Sequence, residues 1–333
     1  MLDGISMMLI SVVILALSFD FITGFHDTAN SIATCVSTRV LTPMWAILMA
    51  STLNFVGALV SENVAKTIYK GIVLGPVAEY VIIAALVGAI VWDIVTWYLA
   101  IPSSSSHALI GGLIGASVAY AMAFEKVDWS GVFNKVVIPL LTSPIIGFIV
   151  GFGVMTFLFR ALASVSLRVI NKWFSKLQIL SAAFMSYAHG NNDAQKSMGI
   201  ITLALVSAGV WDVAAGVPLW VKISCAVAMG LGTSVGGWKI IKTMGVNIIR
   251  LQPINGFAAE TSAAAVIETA SAFGFPVSTT HIVSAAIMGV GASKRMKAVR
   301  WNLVRSIVWA WVLTIPVTAL LGAGVTLLIK LII

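Results

Sequence analysis

Apolar residues run along the chain in long segments that short polar or glycine-rich connections separate. A helix that crosses a bilayer needs about 20 predominantly apolar residues, and a chain of this length has room for about 10–12 such membrane segments. The pattern therefore predicts an all-α polytopic membrane protein. The apolar segments lie near 5–24, 43–60, 72–100, 108–124, 136–160, 177–189, 197–210, 219–236, 254–273, 282–292 and 303–329.

Glycine, proline and serine clusters interrupt this pattern and predict broken helices or re-entrant hairpins. The interruptions lie near 24–34, 101–106, 190–199 and 274–280.

These interruptions contain two pairs of similar motifs. Gly24–Ser31 matches Gly190–Ser197 at an offset of 166 residues, and Pro102–His107 matches Pro276–His281 at an offset of 174 residues. Two motifs in the same order and at nearly the same offset predict that the chain consists of two homologous halves.

Basic residues indicate how the two halves are inserted. The halves are predicted at 1–160 and 177–333, and the connector 161–176 between them carries basic residues and no acid. The stretch 294–305 is also basic without an acid, whereas its first-half counterpart 120–131 has mixed charge. Because Lys and Arg favour the cytoplasmic side, the connector is predicted to be cytoplasmic and the halves to form inverted repeats.

Composition agrees with this interpretation. Hydrophobic residues make up 59% of the 333 residues and charged residues only 10%, against about 25% charged residues in soluble domains. With a mean hydropathy of +1.03, a soluble enzyme and a nucleic-acid-binding domain are excluded despite the net charge of +8. We expect a multi-pass protein of the plasma membrane. Inverted repeats with broken helices are typical of secondary transporters.

Two aspartates occupy equivalent positions in the first motif pair. Asp27 and Asp193 lie in apolar sequence, where an ionised carboxylate normally faces a cavity and holds a cation or proton. The alternative is a structural carboxylate that caps a helix or pairs with Lys196. Repetition at equivalent positions favours the functional interpretation. Neutral oxygen donors of the kind that hard cations prefer are supplied nearby by Thr28, Asn30, Asn191, Asn192 and Gln195.

The second motif pair consists of hydroxyl-rich turns, Ser103–Ser106 and Ser278–Thr280, each after a proline and before an apolar helix. A helix N-terminus offers free N–H groups and partial positive charge, which suit an oxyanion, and the hydroxyls add donors. A simple N-cap is the alternative. We assign structural roles to His107 and His281, with a proton-linked role as the alternative. No arginine lies in these motifs, so cations at the aspartates would supply the missing positive charge and couple cation to anion binding.

At these motifs the sequence resembles the inorganic phosphate transporter (PiT) family of sodium- or proton-coupled phosphate symporters. The resemblance covers both halves, and the segments that carry it are Gly24–Ser31, His189–Gly199 and Pro276–His281. It implies broken helices or hairpins around a central phosphate, with sodium ions beside it, and an elevator-like movement of a transport domain.

The resemblance also implies binding residues. It places phosphate against Ser104, Ser105, Ser106, Ser278, Thr279, Thr280 and Gln195, and sodium near Asp27, Thr28, Asn30, Asn192, Asp193 and Gln195. Phe25 and His26 replace the family's usual Ala-Asn before Asp27, which leaves a ligand at position 26 in doubt. Asn54 stands where some members carry Glu. Glu260 is interpreted as its symmetry-related partner, and both are candidate coupling residues.

We therefore predict a sodium-coupled symporter of inorganic phosphate, not an enzyme, with an alternating-access site near the bilayer midplane. Its expected partners are phosphate, co-transported sodium ions and the lipid bilayer, and no nucleic acid. A homodimer is left open. Proton coupling through the same aspartates is the main alternative, and an anion channel lined by the serine-rich turns is a weaker one. A membrane serine enzyme is remote, because Ser106 and His107 are adjacent in sequence and such neighbours rarely form a nucleophile–base pair.

Overall fold

The computed structural model describes residues 6–71 and 77–332. All regular elements within these ranges are helical, and the predicted segment 72–100 begins outside them. The helices of the first half are α1 Met7–His26, α2 Thr28–Ser37, α3 Pro43–Ala58, α4 Asn63–Gly71, α5 Glu79–Tyr98, α6 Ser105–Ala121, α7 Trp129–Val132 and α8 Ile138–Ala161. Those of the second half are α9 Leu167–Ser207, α10 Leu219–Val235, α11 Trp238–Lys242, α12 Pro253–Ala272, α13 Thr279–Lys294 and α14 Trp301–Ile332.

Several of these helices have the length and hydropathy of membrane spans. Four described helical stretches meet both conditions: Met7–Ser37, Glu79–Tyr98, Trp129–Ala161 and Trp301–Ile332. Two bent pairs raise the number to six, because α3 with α4 bends by 62° and α10 with α11 by 63°. The fold is thus an all-helical, multi-pass membrane protein with bent helices. The larger number of 10–12 membrane segments stays a prediction.

Three of the four predicted interruptions are confirmed. The helix is interrupted at Asp27 between α1 and α2, and non-helical turns separate α5 from α6 and α12 from α13. The fourth prediction is wrong, because the 41-residue helix α9 continues through 190–199. Several polar side chains there form hydrogen bonds without a break in the backbone; Gln195, for example, donates to the carbonyl of Asn191 one turn earlier at 2.5 Å. Helix α9 also takes in residues 167–176 of the predicted connector.

The two halves contact one another reciprocally. Helix α1 packs on α10 and α9 on α3, while α6 packs on α14 and α13 on α8. Glycines mark equivalent points of these crossings: a Cβ at Gly57 would lie 2.2 Å from the Tyr187 carbonyl oxygen, and one at Gly232 would lie 2.0 Å from that of Phe21. Tyr187 and Phe21 are 166 residues apart, as are the two aspartates. The helices of each half therefore meet the other half in the same way, while their opposite insertion stays a prediction.

We expect Gly232→Ala to destabilise the protein, because the new Cβ would overlap the Phe21 carbonyl oxygen and force α1 and α10 apart. The cost of such overpacking is about 1–3 kcal/mol, which a lower thermal unfolding temperature of the detergent-purified protein would report. Gly153→Ala in α8 is the matched control, since a Cβ there meets no atom within 4 Å and alanine favours a helix. Equal stability losses in both variants would contradict this account of the crossing.

Candidate functional site

The motifs of both halves meet in the protein interior. The α1–α2 junction, the middle of α9 and the N-termini of α6 and α13 contribute side chains to one buried cluster. Single ligand atoms of Asp27, His189 and Asp193 all lie within 4.8 Å of one another, and all three residues are buried. Two carboxylates that are far apart in sequence are thus neighbours. We call this cluster the central site.

Asp27 is surrounded by donors from both halves. Its Oδ1 lies 2.7 Å from His26 Nδ1 and accepts a hydrogen bond from Thr280 Oγ1 at 3.3 Å. Its Oδ2 accepts a hydrogen bond from Ser105 Oγ at 3.4 Å. The His26 ring is itself held by Thr96 Oγ1, 3.1 Å from Nε2. Burial of a carboxylate is costly unless several polar groups compensate it, and Asp27 has them on both oxygens.

Asp193 has a stronger partner, the ammonium group of Lys196. Lys196 Nζ donates to Asp193 Oδ1, and Thr279 Oγ1 donates to Oδ2 at 2.8 Å. His189 Nε2 also lies 2.9 Å from Oδ2. Lys196 further donates to Ser106 Oγ and to the carbonyl oxygen of Val277 at 3.2 Å. The predicted alternative, pairing of Asp193 with Lys196, is therefore present, and it lies within the central site.

Asn30 links the two aspartates through the second hydroxyl-rich turn. Its Nδ2 donates to Thr279 Oγ1 at 3.2 Å and to Thr280 Oγ1 at 2.9 Å. Because each threonine hydroxyl accepts a hydrogen bond from Asn30, the hydroxyl proton is free to point at a carboxylate. Thr279 uses it for Asp193 and Thr280 for Asp27, so one amide orients both donors.

Both turns begin their helices as the sequence predicts. Ser104 Oγ accepts from His107 N and Ser278 Oγ accepts from His281 N, each at 3.2 Å. These serines are therefore N-caps, and each hydroxyl keeps a proton to donate. Helices α6 and α13 point their N-termini, with partial positive charge, towards the central site. Ser106 joins the turns by donating to the Val277 carbonyl at 3.1 Å.

The two histidines after the turns pack against each other. The ring centroids of His107 and His281 are 4.8 Å apart, and His281 stacks on Trp311 at 4.0 Å. Both are buried. This packing agrees with the structural role that we assign to them.

Three predicted ligands make other contacts. Gln195 Oε1 accepts from the backbone N–H groups of Val64 at 2.8 Å and Ala65 at 3.3 Å, at the start of α4. Its amide is therefore used to hold α4. Thr28 donates to the Gly24 carbonyl oxygen at 2.7 Å. Asn192 donates to Ser271 and the Phe275 carbonyl oxygen at 2.8 and 3.4 Å, respectively, and its buried Oδ1 has no partner in the described part of the chain.

The candidate coupling residues occupy different places. Asn54 Oδ1 lies 3.1 Å from His189 Nδ1, so Asn54 borders the central site through this ring. Glu260 lies in a separate buried cluster, where it accepts hydrogen bonds from Thr34, Ser181 and, at 3.3 Å, Gln178.

The interpretation of Glu260 as the symmetry-related partner of Asn54 is wrong. Asn54 lies in α3 and Glu260 in α12, which come second and third among the long elements of their halves. A Cβ at Gly190 would meet the carbonyl oxygen of Asn54, and one at the equivalent Gly24 would meet that of Met229. The residue that matches Asn54 is therefore Met229.

Sequence reasoning gave too little weight to the basic neighbours of the aspartates. His26, His189 and Lys196 all contact an aspartate of the central site. His189 and Lys196 stand four residues before and three residues after Asp193. In a continuous helix this spacing places all three side chains on one face. The sequence predicted a break in this segment, so their proximity was recognised only from the structure. Asp20 and Asp93 are also buried, and none of their carboxylate oxygens has a hydrogen-bond partner among the residues that the structure describes.

Comparisons with known proteins identify the family of the chain. The profile of the phosphate transporter family matches residues 23–169 and 163–322. A protein of Bacillus subtilis (strain 168) named "Probable low-affinity inorganic phosphate transporter" is 49% identical, with 97% of each chain covered. A protein of the same name from Rhizobium meliloti (strain 1021) is 46% identical, with 95% of each chain covered.

A solved structure is also similar. It is described as "The sodium-dependent phosphate transporter", has a TM-score of 0.88 and is 26% identical, and the match covers 98% of this chain and 100% of that one. The chain therefore belongs to the phosphate transporter family. It is a multi-pass membrane transporter and not an enzyme.

We expect Lys196→Met to be strongly destabilising because it leaves the buried Asp193 carboxylate without its ammonium partner, at a cost of about 3–5 kcal/mol. Thermal unfolding of the purified protein would measure the loss. The double variant Lys196→Met with Asp193→Asn should recover a large part of it, since no unpaired charge remains. Additive losses in the double-mutant cycle would show that the two side chains are not energetically coupled.

Proposed function

We propose that the protein is a secondary active symporter that moves inorganic phosphate together with sodium ions. The observation that carries this proposal is the close approach of two buried carboxylates, with single oxygens of Asp27 and Asp193 within 4.8 Å. With both carboxylates ionised, one lysine leaves an excess of negative charge. Oxygen-rich, negatively charged sites suit hard cations, and the name of the similar solved structure mentions sodium.

Phosphate would bind beside these cations. The donors available to it are Lys196, the N-termini of α6 and α13 and the hydroxyls of the two turns. A tetrahedral oxyanion needs several donors around it, and a helix N-terminus is well suited to supply them. We assign phosphate contacts to Ser104, Ser105, Ser106, Ser278, Thr279 and Thr280. Gln195 would have to release α4 to reach either ligand, so we assign it the role of holding α4.

The hydroxyl contacts supply a mechanism for coupling. Ser105 and Thr280 donate hydrogen bonds to the carboxylate of Asp27, and Thr279 donates one to that of Asp193. A sodium ion bound to those oxygens would take over the compensation of the carboxylates and free the hydroxyl protons for phosphate. Each ligand would then raise the affinity for the other, as thermodynamic linkage requires. Asn30 would keep both threonines oriented in either state.

Proton coupling is the second candidate, and a separate observation favours it. Each aspartate has a buried histidine beside it, His26 at 2.7 Å from Asp27 and His189 at 2.9 Å from Asp193. A carboxylate–imidazole pair can bind and release a proton without a metal ion. The central site therefore offers proton-binding groups as well as oxygen ligands.

We further propose that residues 1–160 and 177–333 are inverted repeats joined by a cytoplasmic connector at 161–176, with the central site between them. The reciprocal helix contacts support two matching halves. Alternating access would then expose the central site to each side in turn, as in other transporters with inverted repeats.

Purified protein in liposomes should accumulate radiolabelled phosphate when a sodium gradient is imposed at equal pH. Uptake should saturate with phosphate, arsenate should compete, and sulfate should compete poorly. Accumulation driven only by an imposed proton gradient would replace sodium with protons in the proposal. Flux that neither gradient drives and that does not saturate would favour a channel.

In the same assay, Asp27→Asn and Asp193→Asn should each raise the sodium concentration for half-maximal uptake by about tenfold or more, since a charged ligand is worth at least about 1.4 kcal/mol. Glu62→Gln is the control, because this carboxylate lies in a partly exposed connection and pairs with Lys66 and Lys222. Unchanged sodium activation in both aspartate variants would remove them from the cation site.

The hydroxyls can be tested with near-isosteric changes. Thr280→Val should raise the KM for phosphate by about five- to tenfold, consistent with the loss of one hydrogen bond to a charged group. Thr326→Val is the matched control, since that buried hydroxyl only donates to the Gly322 carbonyl oxygen at 2.9 Å within α14. Equal KM values in the wild type and Thr280→Val would contradict a phosphate contact.

A further inference from the structure

A second cluster of charge lies far from the central site. An open cavity of about 580 Å³ is bordered by the N-terminus of α12, the C-terminus of α13 and the connection that follows α13. The neutral side chains of Asn255 and Gln252 line it, together with an apolar wall that includes Val290. Five basic residues also line it: Arg250, Lys294, Arg295, Lys297 and Arg300. We call it the basic cavity.

These five positive charges have no compensation among the residues that the structure describes. No acid lines the basic cavity, and none of its basic side chains takes part in a described ion pair. Two partly exposed lysines elsewhere do have partners: Lys66 and Lys222 lie 2.8 and 2.9 Å from the carboxylate of Glu62. Like charges gathered around one cavity repel each other, so the arrangement is stabilised when an anion enters it.

The fold itself does not require these charges. At the offset of 172 residues that aligns the 3-10 turns of the two halves, Arg295, Lys297 and Arg300 correspond to Ala123, Glu125 and Asp128 of the first half. Both halves nevertheless form the same elements, with a 3-10 turn at Phe124–Lys126 and at Met296–Ala298. A topology signal would explain a basic loop. It does not require the basic residues of two connections, Arg250 and the group after α13, to converge on one cavity.

The basic cavity is distinct from the central site but shares two helices with it. Helix α13 begins with Thr279 and Thr280 at the central site and ends with Lys294 at the cavity. With a rise of 1.5 Å per residue, these ends are about 22 Å apart. Helix α12 begins at the cavity and carries Ser271, which accepts from Asn192. A ligand that joins these two helix ends would restrain elements of the transport site.

We propose that the basic cavity binds a compact polyanion with two or more phosphate groups, either a soluble polyphosphate or the phosphorylated headgroup of a lipid. Its volume falls in the range of small-molecule sites, about 300–1,000 Å³. Arginine and lysine side chains converging from three segments are the usual recognition set for phosphate groups. A single phosphate could not reach all five cations at once, whereas several linked phosphates could.

Binding can be measured on the purified full-length protein without any transport assay. Tripolyphosphate would be titrated calorimetrically in detergent. Cardiolipin, whose headgroup carries two phosphate groups, would be offered in phosphatidylcholine nanodiscs, with retained lipid measured by native mass spectrometry. The test variant is Arg295→Gln, Lys297→Gln, Arg300→Gln. The control is Arg168→Gln, Lys172→Gln, Lys176→Gln, which removes the same charge from exposed positions of α9.

We expect saturable binding of tripolyphosphate, cardiolipin or both, with affinity reduced about tenfold or more in the test variant and little changed in the control. Binding of tripolyphosphate alone identifies a soluble ligand, and binding of cardiolipin alone identifies a lipid headgroup. Equal losses in both triple variants, or no saturable binding of either probe to the wild type, would overturn the proposal. Unfolding temperatures like that of the wild type would show that both variants are folded.

Discussion

The central physical constraint in this protein is the burial of two carboxylates within a few ångströms of each other. Asp27 and Asp193 would repel one another and pay a desolvation cost of several kcal/mol each if left alone. Every close polar neighbour compensates this cost: a lysine, two histidines and hydroxyls from both turns. The proposed cation binding gives these costly carboxylates a function.

Close helix packing brings these groups together. Glycines at the crossings let backbones approach so closely that a Cβ at Gly57 or Gly232 would overlap a carbonyl oxygen. Lipid tails are as apolar as leucine, so the hydrophobic effect does not drive helices together within a membrane. Close van der Waals packing, which small residues permit, drives their association instead. The same contacts made reciprocally by the two halves place Asp27 and Asp193 side by side. The stability of the helix packing and the geometry of the central site thus depend on the same positions.

In the proposed mechanism the central site binds an anion largely with groups that, before the cation binds, donate hydrogen bonds to the aspartates. Hydroxyl protons that compensate a carboxylate become available when a cation takes their place, so an acidic site can bind phosphate. The basic cavity is different, because its five cations are permanent and unpaired among the described residues. A site whose positive charge comes from its own side chains would hold its ligand. A site whose positive charge comes from a bound cation can release the ligand when the cation leaves. The fixed charge of the basic cavity suits a ligand that stays bound, whereas the central site suits a ligand that is transported.

The sequence alone determined the membrane class, the family, the paired motifs and most residues of the central site. It did so because hydropathy and repeated motifs can be read directly from the order of the residues. It also predicted the turns before α6 and α13, since Pro followed by Ser or Thr starts a helix by local capping. Only the tertiary structure showed that α9 is continuous, that Gln195 holds α4 and that Glu260 lies in a separate cluster. Those facts depend on which partners satisfy each buried polar group, and those partners come from distant segments such as Val64 for Gln195 and Thr34 for Glu260.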